Sequence, residues 1–148
     1  GLLDIYNVKG DIATINMELH INPTDKPDRW RYTIIFEDNE GKDQIEYFLV
    51  KIDSLPHLYE VEEDNGIVIY EILMGHKMFQ GFEVNKHVYC SITSYEKNKI
   101  IWELVSDDET IYYRTGKGMA ESPTLTTFLP DNYQYATLVK KKKGAKKK

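Results

Sequence analysis

"DRWRYTIIFEDNEGKDQIEYFLV", residues 28–50, decides the fold. Trp30, Tyr32, Ile34 and Phe36 recur at every second position, and so do Ile45, Tyr47 and Leu49. Period two is the signature of a strand with one buried face. Asp38-Asn39-Glu40-Gly41 between the two runs is a turn, so the stretch predicts a β-hairpin carrying an aromatic wall. That wall faces either a solid core or a cavity, and the pattern alone leaves both open.

The same rhythm extends in both directions. In "ATINMELHIN" (13–22) the set Ala13, Ile15, Met17, Leu19 and Ile21 alternates with polar partners, among them Glu18 and His20. "PTDKPD" breaks the pattern with two prolines. In "LPHLYEVEEDNGIVIYEILMG" (55–75) two short strands flank Asp64-Asn65-Gly66, where Asn-Gly predicts a two-residue hairpin turn. Residues 67–74 fit two registers: Ile67, Ile69, Glu71 and Leu73 inward, or Val68, Tyr70, Ile72 and Met74. "KMFQGFEV", "HVYCSITSYE", "KIIWELVS" and "TIYYRT" follow, and a last strand falls within Tyr133–Val139. "GKGMAESPTLTT" is the longest irregular piece, and Gly1–Val8 is the one place left for a short helix.

Strands in series with short links pair with their chain neighbours. A long meander with one apolar face hides that face and its edges by closing. The expected fold is therefore all-β: a single antiparallel up-and-down barrel of about 8–10 strands over residues 1–139. A two-sheet sandwich would need longer crossovers than the chain offers. A chain of 148 residues fits one domain, and such a domain buries roughly 70% of its unfolded surface.

Composition narrows the function. The chain is 41% hydrophobic and 12% aromatic, with eleven tyrosines. No apolar run approaches the roughly 18 residues of a membrane-spanning helix. Seven of the 19 basic residues lie in Lys140–Lys143 and Lys146–Lys148, and removing those seven takes the net charge from −5 to −12. The body is acidic, which argues against nucleic-acid binding. The basic end is expected to be a flexible tail, residues 140–148. Cys90 is the only cysteine, so an internal disulfide is excluded. No export segment is visible from Gly1; the protein is periplasmic or secreted if one precedes it, and cytoplasmic otherwise.

The runs Asp28-Arg29-Trp30-x-Tyr32-Thr33-Ile34-Ile35-Phe36, Asp64-Asn65-Gly66-Ile67-Val68 and Phe82-Glu83-Val84 resemble the lipocalin-like (calycin-type) small bacterial barrel proteins, mostly of unknown function. "LLDIYNVKGD" lacks the Gly-x-Trp carried by lipocalins proper. The resemblance implies a barrel with an apolar interior and a small-molecule site. It supplies no catalytic residues.

Reactive motifs are sparse. His20, His57, His76 and His87 show no metal-ligand spacing, and solvated surface positions are expected for them. Cys90, with Val88 and Ile92 on its face, is expected to be a buried small hydrophobe. No Gly-x-Ser-x-Gly elbow occurs, and "GKGMAESPT" lacks the setting of a phosphate loop. Glu62-Glu63 and Asp107-Asp108 are expected in solvated turns. No enzyme, metal or cofactor is expected. The binding candidates are the aromatic residues Trp30, Tyr32, Tyr47, Phe82 and Trp102, with Glu71 and Gln80 as polar groups interrupting apolar faces. They would line a site for a small hydrophobic ligand, in a monomer or weak dimer. The alternative is a filled barrel that acts as a structural or protein-interaction module.

Overall fold

The computed structural model describes residues 1–107 and 112–141. Its strands are β1 (Leu2–Asn7), β2 (Ile12–Pro23), β3 (Arg29–Glu37), β4 (Lys42–Lys51), β5 (Leu58–Glu62) and β6 (Val68–Met74). Then come β7 (Lys77–Val84), β8 (His87–Tyr95), β9 (Lys99–Ser106), β10 (Tyr112–Thr115), β11 (Leu125–Phe128) and β12 (Asn132–Val139). No helix occurs among the described residues.

Ten strands close an antiparallel up-and-down barrel in the order β1-β12-β9-β8-β7-β6-β5-β4-β3-β2. From β1 to β9 every strand lies beside its chain neighbour, as short links require. β10 and β11 form a separate hairpin, and β12 returns to close the wall between β9 and β1. The strand order departs from the sequence reading at its start and before its last strand. The opening residues form β1 rather than a helix, because β2 and β12 both offer it a pairing edge. The expected irregular piece, residues 116–127, contains the start of β11.

Turn chemistry sets the registers. At 64–66 the Glu63 N–H donates to the Ile67 carbonyl at 2.9 Å, and Gly66 alone takes a positive φ of 89°. That is a three-residue loop ending in a left-handed glycine, not the two-residue turn that Asn-Gly predicts. A two-residue turn of that kind occurs at Asn85–Lys86, with φ values of 51° and 71°, between the paired residues Val84 and His87.

Directly opposed residues on neighbouring strands share a face. The rung Leu3, Ala136, Trp102, Thr93, Met78, Leu73 follows that rule across six strands and points inward. Leu3, Met17, Ile34, Leu49, Met78 and Trp102 form the buried core with Val61, Ala136 and Leu138. The β2 alternation falls as its sequence indicates, with Met17 inside and His20 outside against Glu18. The open register of residues 67–74 is now fixed. Ile69 opposes Val61 and Leu73 opposes Met78, so Glu71 points inward. Val68, Tyr70, Ile72 and Met74 stand exposed on the outer wall.

Strand β8 reverses its expected faces. Cys90 is exposed on the outside with Val88 and Ile92, while Ser91 and Thr93 are buried on the inward side. Alternation alone points the apolar side of β8 inward. Here it joins the outer row of β6 and β7 instead, where Ile92 opposes Phe79 and Phe79 opposes Ile72. At the chain's end, Lys140 donates its N–H to the Asn98 carbonyl and the Lys141 ammonium meets Glu18 at 2.6 Å. The rest of the lysine-rich tail, residues 142–148, lies outside the described residues.

Candidate functional site

The barrel is hollowed at one end, the end that carries the loops 24–28, 52–57, 75–76 and 96–98. A cavity of about 360 Å³ opens there. Trp30, Leu49, Tyr59, Leu73, Met78 and Tyr95 wall it, and Gly75 and His76 form part of its rim. The inward face of each strand places these residues. Trp30 opposes Leu49 across β3 and β4, and Leu73 opposes Met78 across β6 and β7. Pleating makes them neighbours on one face although they lie as much as 65 residues apart.

A larger groove, about 450 Å³, lies on the flank beyond the start of β1, between β2 and β12. Glu18, His20, Lys99 and Lys140 edge it over Met17 and Leu138. It meets the end cavity at Ile21 and Tyr95, which border both. We take the smaller cavity as the site. Its wall is aromatic and aliphatic and belongs to the barrel interior, whereas the groove is edged by solvated charges.

Glu71 lies beneath this cavity and is not one of its lining residues. It is the next inward residue below Leu73 on β6, about 7 Å deeper at the strand rise, and it directly opposes the cavity residue Tyr59. It is largely buried, and no hydrogen bond or ion pair is made to it among the described residues. Burial pushes its carboxyl up to about 7. The hydroxyls of Tyr32 and Tyr95 feel the same carboxyl. Burial raises both well above the ordinary phenol value, and the charge of Glu71 adds to the rise. The arrangement is a lone acid among tyrosines beneath an apolar cup.

The candidates named from sequence all fall on inward positions, but at different depths. Trp30 lines the cup. Tyr32 lies beneath it, fully packed, with the Tyr47 ring tilted against it at 6.3 Å between centroids. Gln80 opposes Glu71 and accepts a 3.1 Å hydrogen bond from the Ser91 hydroxyl. Phe82 is stacked on Tyr89 toward the far end, with centroids 5.1 Å apart. Trp102 is buried in the core rung. So Trp30 alone of these candidates lines the cavity; Tyr32 and Glu71 lie beneath it, and Tyr47, Gln80, Phe82 and Trp102 do not line it. Sequence reasoning missed Tyr59 and Tyr95. Tyr95 carried a signal, since it ends the alternation Tyr89, Ser91, Thr93, whose polar middle argued for the outer face.

The far end holds another departure. Asp107 is not in a solvated turn but 2% exposed. Its Oδ1 accepts the Val88 N–H at 2.7 Å, its backbone oxygen lies 3.0 Å from His87 Nδ1, and its Oδ2 has no partner among the described residues. Asp108 lies outside the described residues. Glu62 is paired outside the wall with Arg29 at 2.7 Å, whose guanidinium also covers the Phe48 ring at 4.1 Å. No cluster of His, Cys, Asp and Glu able to hold a metal occurs among the described residues. Compared with protein families, with curated proteins and with solved structures, the chain matches none.

Proposed function

We propose that the chain is a lipocalin-like binding protein that holds a small apolar or amphipathic molecule in the open end of its barrel. The observation that carries this reading is the cavity of about 360 Å³ walled by Trp30, Tyr59, Tyr95 and the aliphatic side chains Ile21, Leu49, Leu73 and Met78. Sites for small molecules run from about 300 to 1,000 Å³ and pair such walls with a few convergent polar groups. Tyr59 and Tyr95 carry hydroxyls in this wall, and Glu71 lies beneath it, opposite Tyr59. The closed ten-strand antiparallel barrel is compatible with the lipocalin-like resemblance.

The two tryptophans provide the test, because Trp30 is at the cavity and Trp102 is in the core. Native mass spectrometry of protein purified without refolding is expected to show an added mass that denaturation removes. Titrating alkyl and polycyclic compounds is expected to shift the tryptophan emission of the Trp102→Phe variant and leave that of the Trp30→Phe variant unmoved. A clean apo mass, with no response from either variant across the panel, would overturn the reading.

A second reading has its own observation: the exposed outer row Val68, Tyr70, Ile72 and Met74 on β6. A barrel acting through that wall would associate with other proteins and take up no ligand.

A further inference from the structure

The same cavity specifies the polar end of what it holds. We infer, resting on the binding function above, that the ligand is an amphipathic amine, its hydrocarbon part in the cup and its protonated nitrogen on the Glu71 carboxylate.

The argument is one of unmet charge. An ionised carboxylate inside a barrel is costly unless something pairs with it. The inward neighbours of Glu71 are Tyr59 on β5, Gln80 on β7, Tyr95 on β8 and Tyr32 on β3. None of them is a cation. The nearest positive side chain on its own rung is Lys51, opposite Tyr59 but exposed at the rim. His76 is also at the rim and exposed. No cation among the described residues therefore compensates Glu71, and the one side-chain bond of Gln80 is the one its Oε1 accepts from Ser91. A ligand nitrogen entering past Tyr59 and Tyr95 would supply the missing charge, with phenol rings around it of the kind that favour cations. A fatty acid would place a second anion against the first. The acidic body adds a long-range field of the same preference, since the chain is −5 overall and −12 without its seven C-terminal lysines.

Decylamine, decanol and decanoic acid share one chain and differ only in the head. At pH 8 an alkyl amine is charged, its proton being lost only near the lysine value of about 10.4, and Glu71 is ionised. Isothermal titration of the whole chain is expected to rank decylamine above decanol by about ten- to hundredfold, with decanoate weakest. In Glu71→Gln the amine-to-alcohol ratio falls to about one. Should that variant not fold, the wild type carries the test alone. Amine binding at pH 6.5 is expected to release a proton, read from titrations in buffers of different ionisation enthalpy, and decanol binding to release none. If decanol binds and decylamine binds no better, or if decanoate binds best, the amine assignment is overturned and the binding function stands. If none of the three binds, both fall.

Discussion

Glu71 is where one side chain sets a property of the molecule. In the unfolded chain its carboxyl ionises near 4.5, and in the folded chain at about 7. Between those values the folded state holds a proton that the unfolded state has lost. Stability therefore falls as pH rises from 4.5 to 7, and levels off above. The whole drop amounts to about 3 kcal/mol. Glu71→Gln keeps the shape and removes the charge. The variant is expected to match the wild type near pH 4.5 and to exceed it by about 3 kcal/mol at pH 8, measured by urea unfolding at both. An equal gap at the two pH values would mean that Glu71 is solvated. Glu18 shows the opposite case. The Lys141 ammonium, and after it His20, hold its carboxyl below the usual range. That pair stands in solvent, where such contacts are screened and contribute little.

Strands show which parts of the sequence were readable. β2 and β3 carry most of their apolar residues on the inward face, Ile12 and Ile35 apart, so alternation alone identified Met17, Ile34 and Tyr32. β6 was ambiguous because both of its faces are apolar, and only its partners Val61 and Met78 decide between them. β8 misled, since its inward face carries Ser91 and Thr93 and its outer face Val88, Cys90 and Ile92. Polarity marks the inward side only where the inside is dry and the outside is wet. Here the barrel holds polar groups and the outer wall is apolar around β6 to β8. Cys90 tests this directly. It is expected to react fully with a thiol reagent in the native protein, without denaturant. Protection until unfolding would reverse the faces of β8, and a one-residue slip would carry Tyr95 out of the cavity with it. The cup itself was only half legible. Trp30 stood out in its hairpin, but Tyr59 and Tyr95 meet it through pairings that no local pattern encodes.

Across the whole molecule, the meander was legible because short links leave few topologies, and a closed ring was the one that left no edge. Of the hairpin of β10 and β11, only β10 was legible, within "TIYYRT"; that it pairs with β11 and belongs to no rung of the wall was not. The barrel closes past it: β12 pairs with β9 from Asn132–Ser106 to Val139–Lys99, and the Asp131 N–H donates to the Ser106 carbonyl at 3.1 Å. The two ends of a 24-residue excursion, residues 107–130, thus meet within a single hydrogen bond. A short Gly-containing turn in place of residues 108–130 is expected to leave the β-sheet circular dichroism and the ligand response of Trp30 intact. Loss of cooperative unfolding in that shortened chain would show that the excursion holds the wall together. The excursion is then a module in the engineer's sense: a port through which a foreign peptide, label or second domain can be fused to the barrel at the end opposite its open cup.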